Sequence, residues 1–278
     1  MRAPQGCPQA IVFPEPGRRA FDVERLAPAA DLAEFVDYHW VVRWRVEGVH
    51  RQQVVPQPRV HLAVEDGRVL VHGVTREPFH RELRGAGHVL GVAFHPAGFR
   101  PVLHRAVADV AGRYRPGAEV LGVDDREVAA RVLATGSTRR MVAAVEEYLR
   151  ACRPRPDPVA ARVSELVRTA ERDPSLVRAD QLAERAGMGL RRLQRLFAEY
   201  VGIGPKWVIR RFRILDALGR AGAPAAGAPL AGAPLAGAPV DWAALADELG
   251  FADQAHLIRV FTQVVGTPPA TYRRTAAR

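Results

Sequence analysis

Residues 182–205, LAERAGMGLRRLQRLFAEYVGIGP, return in altered form as residues 245–269, LADELGFADQAHLIRVFTQVVGTPP. With one residue of slack after the glycine, the copies share Leu182/Leu245, Ala183/Ala246, Gly187/Gly250, Leu193/Leu257, Arg195/Arg259, Phe197/Phe261, Val201/Val265, Gly202/Gly266 and Pro205/Pro269. Each copy reads as a short helix, a turn at the glycine, and a second helix stopped by another glycine. The chain therefore carries a helix-turn-helix twice, and its remaining segments must fold around a doubled helical unit.

The second helix of each copy is amphipathic. Leu193, Leu196, Phe197 and Val201 share one face of the first, and Leu257, Val260, Phe261 and Val264 share one face of the second. This leaves Arg191, Arg192, Gln194 and Arg195 in the first copy, and Gln254, His256 and Arg259 in the second, near the amino end and directed elsewhere. A helix of this size fits the major groove of DNA, where arginine pairs bidentately with guanine and glutamine with adenine, and either holds a phosphate. Taken singly, any of these side chains reads equally well as solvated surface; taken as a doubled cluster, they read as a DNA-contacting face. Charge agrees with this. The net charge is +10, and from Pro174 onward 14 basic residues face 8 acidic ones; this admits an acidic partner, nucleic acid or an anionic membrane, without by itself calling for one, and no membrane partner is expected. All basic residues but Lys206 are arginine, a bias that also fits a GC-rich coding sequence, so arginine identity alone says little.

Around the motifs, Arg153-Pro-Arg-Pro-Asp-Pro158 marks a boundary, because closely spaced prolines cannot continue a helix. Asp157-Pro158 supplies an N-cap and first-turn proline for a helix to about Glu171, and Asp180 reads as the N-cap of the first motif. Asp253 reads as the cap of the second recognition helix, whereas Gly189 stands at that place in the first. Residues 205–218 read as a linking helix, with Arg210, Arg211 and Arg213 mostly off its apolar stripe and adding positive surface. Residues 221–240 are four copies of an Ala-Gly-Ala-Pro pentapeptide, which proline and glycine make a flexible linker.

The first half has a different grammar. Strand candidates lie at residues 38–46, 53–55, 59–64, 68–74, 79–83 and 89–94, separated by Pro56, Pro58, Asp66-Gly67, Pro78 and Gly85/Gly87. They predict a small antiparallel barrel or sandwich, followed by helices over residues 99–108 and 138–150. The first twenty residues read as irregular. A small barrel can enclose one small ligand, and Trp40, Trp44, His61 and Phe94 are the residues that could line such a pocket, though each taken singly reads first as ordinary core. Eight of the nine histidines fall in this half, but no HxH, HxxxH or HExxH spacing occurs, so no metal is expected. No GxSxG, GxxxxGK[ST] or GxGxxG motif appears, and neither an enzyme nor a cofactor is expected. Cys7 and Cys152 form no CxxC pair. Without a membrane-spanning apolar run or a secretory leader, the reading is a cytoplasmic protein.

Leu193-x-Arg195-x-Phe197 with Gly202-x-x-Pro205, then Gly250-Phe251 through Arg259-x-Phe261 with Gly266-x-x-Pro269 and Tyr272, resembles the AraC/XylS family of transcriptional regulators. The resemblance covers about residues 159–273. It implies a seven-helix domain whose two recognition helices enter successive major grooves, with Arg191, Gln194 and Arg195, and Gln254 and Arg259, at DNA-contacting positions. The first half looks like the uncharacterised N-terminal domain that many actinobacterial regulators attach to this module, FHPAGFRPVL at residues 94–103 matching best. The fold expected is therefore α+β. Residues 1–152 form a sensor or dimerisation domain and residues 153–278 a DNA-binding domain. Within the latter, helix-turn-helix one spans about 179–202, the linking helix 205–218, the low-complexity insertion 219–240, and helix-turn-helix two about 241–266. The function implied is sequence-specific transcription regulation, as activator or repressor, on double-stranded DNA. RNA polymerase, a small-molecule effector and a second copy of the chain are candidate further partners. Two other classes compete. DNA-alkylation repair needs a metal-bound cysteine cluster that Cys7 and Cys152 do not provide, and a protein-interaction module would use the motifs without DNA.

Overall fold

The computed structural model describes residues 21–220 and 241–276. The first twenty residues, read above as irregular, and residues 221–240, read as a flexible linker, lie outside the described residues. Six strands form one antiparallel sheet in the order β1 (Phe21–Leu26), β2 (Val36–Val54), β5 (Phe79–Phe94), β3 (His61–Glu65), β4 (Arg68–His72), β6 (Tyr114–Pro116). The class is α+β, with the sheet first in the chain and helices after it.

Four of the expected strands are really two long ones. Residues 38–46 and 53–55 join within β2, and residues 79–83 and 89–94 join within β5. Gly85 and Gly87 read as a turn but lie inside β5, for a reason that is non-local. Trp44 covers Gly87 and Trp40 covers Gly91 from the neighbouring strand, and a Cβ would sit 2.5 Å and 2.0 Å from those indoles. The glycines are thus the floor on which two tryptophans rest. A register shift between Val46 and Val49 lets the pair bend and still continue.

Strand parity sorts the two faces. Val41, Leu62, Val64, Leu90, Val92 and Phe94 are fully buried on the face covered by helices. There α3 (Arg126–Leu133) and α4 (Thr138–Ala151) contribute Val128, Ala129, Val132, Met141, Val145 and Leu149. Buried among them, His39 Nε2 lies 3.1 Å from Glu146 Oε1, which also accepts from Ala29 N at 2.7 Å. The opposite face carries Tyr38, Trp40, Val42 and Trp44. The helix expected over residues 99–108 is shorter: α1 (Arg100–Leu103) ends at His104, whose φ of +60° stops the helix, and a 3₁₀ turn (Val107–Val110) follows. A further short helix, α2 (Gly117–Leu121), leads to α3.

The helical part runs α5 (Pro158–Arg172), α6 (Ala179–Arg185), α7 (Leu190–Tyr200), α8 (Pro205–Arg220), α9 (Trp242–Glu248), α10 (Gln254–Val265) and α11 (Pro269–Ala276). Asp157 caps α5 by accepting from Val159 N at 2.8 Å. Asp180 is not the cap of α6; it lies in the first turn and pairs with Arg178, while Gln181 Oε1 accepts from Val177 N at 3.0 Å and Arg178 N at 2.9 Å. The turns of the two repeats match: Gly187 and Gly250 adopt φ of +63° and +72°, a conformation that favours glycine.

Helix α8 corrects one expectation. Arg211 and Arg213 are 2 % and 1 % exposed, not positive surface. Arg213 donates to the carbonyls of Ala170 at 2.8 Å and Asp173 at 2.7 Å, the orphan acceptors at the end of α5, and its Nε is 3.1 Å from Asp216. Arg211 stacks over the Trp207 ring at 4.7 Å and donates to Arg76 O at 3.3 Å, in the sheet half. Burial pulls its pKa down to about 10, so it stays charged at neutral pH. Both arginines act as internal fasteners for helix ends and loops. The buried apolar residues of the sheet half and of α5–α11 make one continuous cluster.

Candidate functional site

The repeats present their exposed faces at α7 and α10. Leu193 and Phe197, and in the second copy Leu257 and Phe261, are fully buried and hold each helix on its neighbours. With those faces inward, Arg191, Arg192, Gln194 and Arg195 all point outward and are exposed. None of the four has an ion pair or side-chain hydrogen bond among the described residues. Nearby arginines differ: Arg168, Arg178 and Arg185 pair with Glu165, Asp180 and Asp173. The single acid on α7, Glu199, is bound to Arg100 at 2.6 Å. The outer face of α7 is therefore a cluster of uncompensated cations with one amide among them.

On α10, Gln254 and Arg259 are exposed and likewise without partners among the described residues. His256 is half-buried and turned back on its own motif. Its ring meets Phe251 edge to face at 5.4 Å, and its Nδ1 accepts from Ala252 N at 3.4 Å. Its pKa is lowered first by burial, then by Arg210, Arg259 and Lys206. Lys206 and Arg210 of α8 thus act on the second motif through their charge. Residue spacing within that motif gave no sign of Lys206, because the influence is exerted from another helix.

The two helices are seated differently. Arg100 joins the end of α7 to the sheet half through Glu199, and its guanidinium lies 5.8 Å from the Tyr200 ring. Helix α10 touches the sheet half at its carboxyl end, where Gln53 Nε2 donates to Val265 O at 2.7 Å.

A second feature lies on the open face of the sheet, a cavity of about 250 Å³. Trp40, Trp44 and His61 line it. Phe94 does not: it belongs to the other parity of β5, is fully buried, and packs edge to face on Phe99 at 4.9 Å. Sequence reading missed Tyr38, Glu65, His72, Phe79, Arg81 and Tyr114, which also line the cavity. Alternation along β2 from Trp40 would have found Tyr38; the others needed the strand pairing. Two of the three arginines in the wall are ion-paired. Arg59 pairs with Asp37 at 2.5 Å, Arg81 pairs with Glu65, and Arg25 lies 5.1 Å over the Tyr38 ring. His72 Nε2 is 3.3 Å from Glu65 Oε1. Burial pulls His72 down to about 4, and burial with the nearby Arg59 and His72 pulls His61 down to about 3. Both imidazoles are neutral at pH 7.

No curated protein sequence matches the chain. Among solved structures, it is similar to ToxT from Vibrio cholerae, with a TM-score of 0.37 at 10 % identity over 92 % of this chain and 98 % of that one. A structure of unsaturated fatty acid-bound ToxT gives 0.36 at 9 % identity, covering 99 % and 98 %. The AraC-like transcriptional activator CuxR gives 0.19 at 16 % identity, covering 72 % and 87 %. Residues 24–116 match the family model described as a domain of unknown function, DUF6597. That match begins within β1 and ends with β6, so it takes in the sheet and leaves α5–α11 outside.

Proposed function

We propose that the chain is a sequence-specific DNA-binding transcription regulator of the AraC type. In this reading residues 153–278 form the DNA-binding domain and residues 1–152 a sensor that responds to a small molecule, dimerises, or both. The observation that carries it is the pair of repeated helices whose buried faces fix opposite faces bearing Arg191, Arg192, Gln194, Arg195, Gln254 and Arg259 without internal counter-charges. A protein surface seldom leaves so many guanidinium groups together uncompensated unless a polyanion completes them, and phosphate and base edges both suit the fork of arginine. Lys206 and Arg210 add phosphate contacts beside the second helix, and His256 supports its motif from within. Helix α8, fastened by Arg211 and Arg213, sets the separation between the two reading helices. RNA polymerase would be met while the protein is seated on its site, and the DNA target makes the cytoplasm its place of action.

Genome-wide occupancy of the full chain tests this reading, because it returns both the bound sequence and the regulated genes. Localised sites sharing a motif are expected. Occupancy without localised sites would instead favour a protein-interaction module.

A further inference from the structure

The cavity in the sheet is specific enough in its chemistry to name the class of molecule it accepts. We infer that it binds a compact, uncharged aromatic ligand of about two fused rings with a polar edge; this rests on the reading of the sheet half as a sensor. Three observations converge on it.

Size comes first. About 250 Å³ at the packing density of protein interiors holds roughly a dozen non-hydrogen atoms. That is enough for a bicyclic heterocycle.

Shape comes next. Phe21, Tyr38, Trp40, Trp44, Phe79 and Tyr114 all contribute to the lining. Gly91 and Gly87 let two of those indoles settle onto the sheet, since any Cβ there would collide with them. Flat walls of this kind favour flat ligands by offset stacking and edge contact.

Charge decides the rest. Two cations of the wall are ion-paired, Arg59 with Asp37 and Arg81 with Glu65, and the third, Arg25, lies over the Tyr38 ring. An anionic ligand would surrender its hydration here and gain a counter-charge only by drawing Arg25 from that ring. A wholly apolar ligand fits less well than one with a polar edge. Trp40 and His61 line the cavity with rings that meet edge to face at 6.3 Å; their Nε1 and Nδ1 have no hydrogen-bond partner and are closed to water, so a small ring movement is what brings them to a ligand's polar edge. The indole donates, and a neutral imidazole nitrogen donates or accepts according to tautomer, so a ring bearing a lactam or similar edge matches them.

Calorimetric titration of the full chain at pH 7 tests the class with three probes: quinolin-2(1H)-one, quinoline-2-carboxylate and decanoate. The neutral lactam should bind with a dissociation constant on the order of micromolar and a negative heat-capacity change. The two anions should bind at least about tenfold more weakly, as expected for an uncompensated buried charge. Ala63→Leu fills the cavity floor and should weaken the lactam about tenfold or more through overpacking; Val89→Phe provides a second filling if the first fails to fold, each checked by thermal melting. Absence of lactam binding, equal or tighter binding of either anion, or undiminished binding by a folded filled variant overturns the inference. Lactam binding by a chain that occupies no DNA sites would uphold the ligand class and remove the regulator reading; DNA occupancy without lactam binding would do the reverse.

Discussion

The two helical repeats solve one problem, holding an amphipathic helix with its polar face outward, by different means. In the second, the helices are held by their own ends: Asp241 accepts from Ala243 N at 2.9 Å and Ala244 N at 3.0 Å, and Asp253 accepts from His256 N at 2.6 Å. In the first, Gly189 offers α7 no side-chain cap, and Asp180 is turned to Arg178. Neighbours make up for this. Arg100 fastens Glu199, and Arg213 fastens the loop before α6 to the end of α5. A helix cap is worth about 1 kcal/mol, whereas a buried guanidinium that satisfies several carbonyls is worth more to keep than a neutral bond. The first repeat is thus firm because the surrounding fold is firm, and the second is firm within itself but attached to the sheet half through Gln53.

The strongest way to break this contrast is Arg213→Met. Removing the guanidinium leaves the carbonyls of Ala170 and Asp173 without their donor in a buried place, which should cost about 3–5 kcal/mol of stability in urea unfolding. Hydrogen exchange should show α5, α6 and α7 losing protection ahead of α10; equal loss in α10 would erase the asymmetry. Next in size are Arg191→Ala and Arg259→Ala, each expected to reduce affinity for the bound site by about 1–3 kcal/mol if the contact is to a base. Fluorescence anisotropy across salt concentrations sharpens the comparison. Arg191, within the arginine-rich helix, should lower the salt slope more than Arg259. A greater loss of slope for Arg259→Ala sinks the assignment of the larger electrostatic share to the first repeat, and unchanged affinity in both variants counts against both recognition helices.

Gln53→Ala comes third. It removes the 2.7 Å bond to Val265 O and should raise amide exchange at the carboxyl end of α10 by about 1 kcal/mol of local opening, leaving α7 unaffected. Exchange rising equally in α7 would mean that the glutamine does not act on the second repeat alone. Smallest is Gly189→Ser, which supplies the missing oxygen and should stabilise the protein by a few tenths of a kcal/mol in thermal melting. A destabilised variant would show that α7 needs its amino end bare.

What could be read from the residues was whatever a helix encodes locally. The period of Leu193, Leu196 and Phe197, and of Leu257, Val260 and Phe261, names the buried face and thereby the exposed arginines. Asp157 and Asp253 sit where their carboxylates reach the next free amides. The α+β class followed from the contrast between helical spacing and close-set strands. His256 was legible as a residue of the motif, but not its turn back onto Phe251, because that depends on how the ring packs.

Tertiary structure decided everything that depends on a partner distant in sequence. Gly85 and Gly87 look like a turn until Trp44 and the bend of β2 are placed beside them. Phe94 looks like a pocket aromatic until strand pairing assigns its parity to the helix-covered face. Arg211 and Arg213 look like surface charge until the open end of α5 and the Arg76 carbonyl arrive to accept their hydrogens. The sequence alone determined which faces of its helices are apolar and which are cationic, since 3.6 residues per turn is a local rule. Only the folded chain determined which charges are consumed internally and which remain outward, because that depends on which acids and carbonyls the fold brings within reach.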